Sequence, residues 1–302
     1  MLDFWIKALE QGLIYGILVM GVYITYSILD FPDLSVDGTF PLGAAVTAVC
    51  IVSGMNPYLA MIISILAGLA AGLVTGLLHV KLGITNLLSG ILVMTGLYSV
   101  NLIVMGKPNT PLLNDKTIFP QSGTGSPYTV LITIIILTII VKLILDWYLS
   151  TKSGYMLKAT GDNDQLVTSL GVSKGKVKII GVMISNGLVA LSGSIMAQYS
   201  KFADAQMGVG TIVIGLASII IGISLFGRIR KVKPTTAVIL GAVIYRVAIG
   251  IALKLNMPSE NLKLITAIIV IIFLAINNKG IRFKRFFRKD KVKGTMPKKE
   301  AI

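Results

Sequence analysis

The chain contains little charge, one cysteine and one histidine. Charged residues make up 14% of its 302 residues, whereas a soluble domain carries about 25%. One cysteine, Cys50, excludes a disulfide or a cysteine-based metal site within the chain, and one histidine, His79, excludes a histidine metal cluster. The scarcity of these residues argues against a soluble protein and against a metalloprotein.

Recognisable catalytic patterns are also missing. The sequence has no Ser/His/Asp, Cys/His or paired metal-ligand arrangement. It also lacks the Gly-x-x-x-x-Gly-Lys-Ser/Thr pattern, which cradles nucleotide phosphates. We therefore expect no enzyme activity, no cofactor and no metal in this chain, and any ATP hydrolysis must come from another protein.

What the chain has in abundance is apolar sequence, with 54% hydrophobic residues and a mean hydropathy of +0.83. Apolar runs of roughly 18 or more residues are typical of membrane-spanning helices. The sequence predicts an all-α, multi-pass helix bundle of about nine spans, with eight or ten as alternatives. The predicted spans are 6–29, 40–54, 57–79, 84–105, 128–149, 177–200, 207–226, 234–254 and 262–278.

The first run is too long for a cleavable signal peptide and lacks a small-residue cleavage site, so we expect a permanent helix.

Positive charge predicts the topology. Lysine and arginine cluster between residues 150 and 178, between 228 and 233, and in a basic tail, 279–302. Positive residues flank membrane helices on the cytoplasmic side. These segments and the C-terminus are therefore expected on the cytoplasmic side of the plasma membrane of a prokaryote, and the N-terminus on the outside. The tail is expected to contact anionic lipid rather than nucleic acid. The sequence thus divides into a transmembrane domain, 1–278, and the tail.

Glycines recur at four-residue spacing in two predicted helices. Gly12 and Gly16 share one face of the first, and Gly68, Gly72 and Gly76 share one face of the third. Small residues at this spacing allow another helix backbone to approach closely. The approaching helix could belong to the same chain or to a second copy.

Polar residues at membrane depth are costly, so each needs a partner, water or a function. Arg246 lies in the middle of a predicted span, and it either faces a polar cavity or makes a structural ion pair or bonds to backbone carbonyls. Lys142 lies close enough to a span end for its ammonium to reach the interface. Asn86 and Asn101 could line a path or make interhelical hydrogen bonds.

The segment Leu29–Gly43 contains three carboxylates, two prolines and two glycines between apolar runs. Non-helical backbone survives at membrane depth only where it lines water or is buried in protein. One interpretation is a broken helix beside a transport path that Asp37 faces, and the other is a cytoplasmic turn in which Asp30 and Asp33 cap helix ends. The predicted path residues are Asp33, Asp37, Asn86, Asn101 and Arg246.

A polar insert, Leu149–Lys178, separates the fifth and sixth predicted spans. In it, Asp162 can cap a helix, Gln165 can complete a capping box, and Gly171 can end the helix. A helix of about two turns is not stable alone in water. We expect it to pack either on its own membrane domain or in a groove of a partner protein.

The whole chain resembles the permease subunits of ATP-binding-cassette importers of the branched-chain amino acid group, most of all the tryptophan/tyrosine-type branch. The resemblance is carried by Leu29–Gly43, Gly90–Asn109 and Gly154–Gly171, although Asp164-Gln165-Leu166 departs from the usual pattern. It implies a type II-like importer membrane domain with a coupling segment at 150–176. The residues implied to contact the ATPase are Gly154, Tyr155, Lys158, Ala159, Gly161, Asp162, Asn163 and Gly171.

The resemblance also implies partners and a mechanism. Two ATPase subunits carrying Mg-ATP would bind the coupling segments, a second permease protomer would complete the path, and an extracytoplasmic binding protein would deliver the solute. The expected function is inward transport of a small solute by alternating access, with an amino acid, and more specifically an aromatic one, as the expected solute. Two alternatives remain: a secondary transporter whose ion sites are Asp30, Asp33 and Asp37, and a membrane scaffold without transport activity.

Overall fold

The computed structural model describes residues 2–113, 115–120, 127–227, 229, 232–254, 264, 267, 268 and 271. It divides into two compact units, Met1–Ile251 and Ala252–Ile302. The fold below is that of the first unit. The ninth predicted span lies largely outside the described residues, and the basic tail lies wholly outside them.

Helices dominate the described chain. In order, they are α1 (Leu2–Tyr23), a π-helix π1 (Ile24–Ile28), α2 (Val36–Val52), α3 (Pro57–Val80), α4 (Asn86–Met105), α5 (Pro127–Leu149), α6 (Lys152–Asp162), α7 (Asp164–Ser169), α8 (Lys174–Ser200), α9 (Thr211–Phe226) and α10 (Pro234–Lys254). Two short strands, β1 (Asn109–Pro111) and β2 (Phe202–Asp204), pair antiparallel, so the all-α prediction needs this one correction.

Six helices of the described chain are long and apolar enough to cross a membrane: α1 with π1, α3, α4, α5, α8 and α10. The predicted spans 40–54 and 207–226 correspond to the shorter apolar helices α2 and α9. The count of nine spans is therefore not confirmed. Two of the three remaining predicted spans are helices shorter than 18 residues, and the third, 262–278, lies largely outside the described residues.

Helix α8 is the central element of the first unit, and glycines bring its neighbours close. A Cβ added at Gly68 would lie 2.5 Å from the Asn186 carbonyl oxygen, and one at Gly72 would lie 2.6 Å from that of Val182. Similarly, a Cβ added at Gly12 would lie 2.8 Å from the Cα of Val243 in α10. The glycine faces therefore serve packing within the chain, which confirms the first of the two alternatives.

Helix α8 runs from one end of the bundle to the other. At its start, Gly181 contacts Leu157 of α6, and this is called the α6 end. At its finish, β2 follows directly and pairs with β1, and this is called the β end. At the β end, Lys201 Nζ donates a hydrogen bond to Thr117 Oγ1. Burial lowers the pKa of the Lys201 ammonium, and the charge of Asp115 opposes that shift.

Helices α2, with 17 residues, and α9, with 16, are shorter than the 27 residues of α8 and are called the short apolar helices. The start of α2 lies beside the middle of α8, where Ser35 Oγ donates to Asn186 Oδ1 at 3.1 Å. Further along α2, Thr47 Oγ1 donates to Ser194 Oγ, so α2 runs toward the β end. Helix α9 runs the other way, because Gly215 packs on Val22 of α1. The N-termini of the two short apolar helices thus meet in the middle of the bundle.

Candidate functional site

Helix α6 has one face packed on the bundle. Thr151 caps its N-terminus, because its Oγ1 accepts a hydrogen bond from the Gly154 N–H at 3.3 Å. Gly154, Leu157 and Thr160 are buried on this face. At the other end, a Cβ at Gly161 would overlap the carbonyl oxygen of Ile28, the last residue of π1. The helix is therefore fitted against π1 without room for a side chain at Gly161.

The opposite face of α6 is open. Lys152, Lys158 and Asp162 are exposed, and the Tyr155 side chain is 60% exposed. Lys158 Nζ donates to the Leu149 carbonyl at 3.0 Å and lies 5.2 Å from the centre of the Tyr155 ring. These contacts fix the two long side chains against α6, so a partner would meet an ordered polar surface.

The capping prediction for this segment was wrong in detail. Asp162 is the last residue of α6 rather than the cap of a following helix. Asn163 provides the cap, since its Oδ1 accepts from the Gln165 N–H at 3.1 Å at the start of α7. The error arose because the glycine-containing stretch 154–162 was not predicted to be helical. Gly171, with φ of 74°, follows the end of α7, where the sequence predicted a helix end.

Asp37 joins the two short apolar helices, α2 and α9. It lies in the first turn of α2, and its carboxylate receives three hydrogen bonds from the start of α9. Oδ1 accepts from Thr211 Oγ1 at 2.9 Å and from the Ile212 N–H at 2.8 Å, and Oδ2 accepts from the Gly210 N–H at 2.9 Å. A carboxylate at a helix N-terminus satisfies otherwise unpaired N–H groups and complements the helix dipole.

A cavity of about 390 Å³ lies beside this junction. Of the predicted path residues, Asp37 and Asn101 line it together. Asn101 is fully buried, its Nδ2 donates to the Gly38 carbonyl at 3.2 Å, and its Oδ1 has no hydrogen-bond partner among the described residues. The remaining lining residues are Gly38, Pro41, Met94, Thr95, Tyr98, Ala205, Gln206 and Val209.

Asp33 belongs to a separate, buried network between α2 and α8. Its Oδ1 accepts from the Ser35 N–H at 2.8 Å, and its Oδ2 accepts from Asn186 Nδ2 at 2.8 Å. Asn186 Oδ1 in turn accepts from Ser35 Oγ and from Thr39 Oγ1. Each polar group is paired, so this network holds the start of α2 against the middle of α8. Asn186 is therefore the centre of the network.

Arg246 and Asn86 lie away from the cavity. The Arg246 guanidinium carbon lies 4.0 Å from the centre of the Tyr15 ring, and that ring stacks on Phe40 at 5.8 Å. The guanidinium therefore makes a cation–π contact with Tyr15. Its Nε has no hydrogen-bond partner among the described residues. Asn86 begins α4, about 22 Å along that helix from Asn101.

One cluster beside α6 was not predicted. Asp146, near the end of α5, lies 3.0 Å from Lys142 Nζ and 3.2 Å from Lys233 Nζ. It also accepts from Thr235 Oγ1 at 2.6 Å, in the first turn of α10. Lys142, which was expected to reach the interface alone, is therefore paired. An acid four residues after a lysine was the available sequence signal, and it would have identified the Lys142–Asp146 pair within α5 but not its contacts with Lys233 and Thr235.

The six long apolar helices, the two shorter ones and the exposed polar helix between spans are typical of a multi-pass membrane protein. The family model described as "Branched-chain amino acid transport system / permease component" matches residues 5–275. The chain belongs to this family.

Relatives support the same assignment. The chain is 51% identical to a tyrosine transport system permease protein of Clostridioides difficile (strain R20291), over 93% of each chain. It is 38% identical to an uncharacterized protein of Rickettsia prowazekii (strain Madrid E), over 89% of this chain and 96% of that one. It is 25% identical to the ribose import permease protein RbsC of Escherichia coli (strain K12), over 90% and 84%. No solved structure matches significantly.

Proposed function

We propose that this chain is the membrane subunit of an ATP-driven importer that carries an amino acid, tyrosine or a close analogue, into the cell by alternating access. The proposal rests on the family and on the 51% identity to a tyrosine transport system permease. A second permease protomer, two ATPase subunits and an extracytoplasmic binding protein complete the assembly. The α6 end faces the cytoplasm and the β end faces outside, which places the N-terminus outside.

The two faces of α6 carry the proposal most directly. The inner face packs on π1 and α8, and the outer face presents Lys152, Tyr155 and Asp162 to solvent. A helix of this form suits a contact that moves with a bound ATPase and pushes on the bundle. ATP drives the cycle because it binds one conformation of the ATPase pair more tightly than the other.

The cavity beside Asp37 supports a transport path at this place. It holds a carboxylate and the unpaired Oδ1 of Asn101 in the middle of the bundle, although most of its walls are apolar. Polar groups at this depth are expensive next to lipid and are found facing water or protein. We infer that Asp37 and Asn101 line the path. Asp33 and Arg246 hold the neighbouring helices, and Asn86 has no assigned role.

A gradient-driven transporter fits less well. Its ion sites would be Asp30, Asp33 and Asp37, with oxygens free to bind the ion. Asp33 and Asp37 instead each accept hydrogen bonds from protein groups on both carboxylate oxygens. Asp37 keeps at most one acceptor direction after its three hydrogen bonds, and Asp33 is held in the α8 network, so neither carboxylate offers the several free oxygens of an ion site.

Tyrosine uptake by the complete assembly tests the proposed function. Proteoliposomes containing this permease and its ATPase, with the binding protein added outside, should accumulate radiolabelled tyrosine only when Mg-ATP is enclosed. An ATPase variant unable to hydrolyse ATP is the control, and it should abolish accumulation. Uptake driven by an ion gradient without ATP would establish the secondary-transporter alternative, and no uptake under either condition would favour a scaffold.

Cysteine accessibility tests whether the cavity holds water. In a Cys50→Ala background, Thr95→Cys should react with a charged, water-soluble thiol reagent, because Thr95 lines the cavity. The control is Val100→Cys on the same helix, whose side chain is 41% exposed, lies outside the cavity lining and points about 140° around α4 from Thr95. We expect the control to react at least about tenfold more slowly than Thr95→Cys, because charged reagents are scarce in hydrocarbon. Equal rates at both positions would contradict a water-facing path.

A further inference from the structure

We infer that the cavity beside Asp37 is a subsite for the ammonium group of the transported amino acid, and that Asn101 Oδ1 is the atom that receives it. This inference rests on the proposed function. It concerns a specific contact within the path, and it begins from the unpaired buried oxygen of Asn101.

The orientation of the Asn101 amide is fixed by its neighbour. Nδ2 donates to the Gly38 carbonyl at 3.2 Å, and a rotated amide would bring two oxygens together at that point. Oδ1 is therefore held as an acceptor. A fully buried acceptor without a donor costs free energy, so a group that fills the cavity with an N–H is favoured there.

Charge in the cavity favours a cationic donor. Asp37 is the one charged residue among the lining residues that the structure describes. Three donors from the start of α9 already occupy part of its carboxylate. A carboxylate offers about four lone-pair sites, so one direction remains for a further donor. An ammonium has three donors and can reach both Asn101 Oδ1 and a neighbouring oxygen, whereas a substrate carboxylate would be repelled.

The other walls suit an apolar or aromatic body. Met94, Pro41 and Val209 supply apolar surface, and the Tyr98 ring is 43% exposed. Thr95 Oγ1 already donates to the Ile91 carbonyl at 2.8 Å, so toward the cavity it can act only as another acceptor. The cavity volume of about 390 Å³ is within the range of small-molecule pockets. The arrangement therefore matches an amine attached to a hydrophobic side chain.

Protection of a cysteine reporter tests this contact directly. The probe is tyrosine, compared with 3-(4-hydroxyphenyl)propionate, which keeps the ring and the carboxylate but lacks the ammonium. Each is added at equal concentration to the permease–ATPase complex carrying Cys50→Ala and Thr95→Cys. Tyrosine should slow labelling of the reporter, and the deaminated analogue should not.

Variants at Asn101 complete the test. Asn101→Leu removes the acceptor at similar volume and should weaken tyrosine protection about tenfold, the loss expected for a hydrogen bond to a charged group. Asn101→Gln retains the amide and should keep part of the tyrosine protection that Asn101→Leu loses. Ser99→Ala, at an exposed position of α4 outside the cavity lining, is the matched control and should not change protection. Thermal unfolding of each complex separates a folding defect from a binding defect.

The outcomes distinguish the two proposals. Equal protection by tyrosine and by its deaminated analogue, or unchanged protection in folded Asn101→Leu, would overturn the ammonium subsite. Absence of protection in a complex that still imports tyrosine with ATP would also overturn it. Failure of ATP-dependent tyrosine uptake by the unmodified assembly would overturn the proposed function itself.

Discussion

Gly161→Val should reduce ATP-dependent uptake by about tenfold or more while the permease still inserts and assembles. A Cβ at this position would overlap the Ile28 carbonyl oxygen, and both partners are backbone, so neither can move by a simple side-chain rotation. Overpacking of this kind costs about 1–3 kcal/mol, and relief requires α6 to separate from π1. Separation breaks the contact through which an ATPase on the outer face of α6 would move the bundle.

The position of π1 explains why the effect should be large. It ends α1 and leads through residues 29–35 to the Asp33 network and the start of α2. A π-helix is rare and frequently occurs at functional sites. A shift at Gly161 would therefore reach the junction of α2 and α9 through contiguous backbone.

Two measurements check this prediction. Uptake and binding-protein-stimulated ATP hydrolysis are compared for Gly161→Val and for Gly96→Val, a matched control on α4 where nothing lies within 4 Å of an added Cβ. Gly161→Pro, which also removes a helical N–H, should fail in the same way. If Gly161→Val transports tyrosine and stimulates hydrolysis normally, α6 does not couple the ATPase to the bundle through π1.

Sequence patterns predicted the features that depend on local composition. The long apolar runs became helices close to the expected bounds, and the spacing of Gly68 and Gly72 correctly predicted close helix packing. The polar segment 29–43 coincides only in part with the non-helical stretch, because π1 ends at Ile28 and α2 begins at Val36. Each of these signals lies within one short stretch of chain, so it can be recognised without knowing the fold.

Features that depend on distant contacts were not predictable in this way. The partner of Asp37 is 173 residues away at Gly210, and the partner of Asp33 is 153 residues away at Asn186. Hydropathy alone also treats α2 and α9 as ordinary spans, because both are as apolar as a full span. Which carboxylate caps a helix, and which asparagine keeps a free oxygen, becomes evident only when the helices are placed together.

Asp37→Ala should be the most damaging single substitution in the cavity lining, because it affects two helices at once. It leaves the Gly210 N–H, the Ile212 N–H and Thr211 Oγ1 without their acceptor. Each buried polar group left unpaired costs about 1–3 kcal/mol, and the start of α9 also loses the negative charge that complements its dipole. We expect a lower unfolding temperature and a loss of uptake of about tenfold or more.

Asp37→Asn separates the cap from the charge. An asparagine keeps one oxygen that can accept from Thr211 and Ile212, but its NH₂ group would face the Gly210 N–H in place of Oδ2. Stability and uptake should therefore fall between those of the unmodified permease and Asp37→Ala. Asp115→Asn, an acid at the β end outside the cavity lining, is the control for removing a negative charge. If Asp37→Asn transports normally and Asp37→Ala alone fails, the carboxylate serves as a cap and its charge contributes nothing to the path. Normal stability and uptake in Asp37→Ala would show that α9 does not depend on this carboxylate.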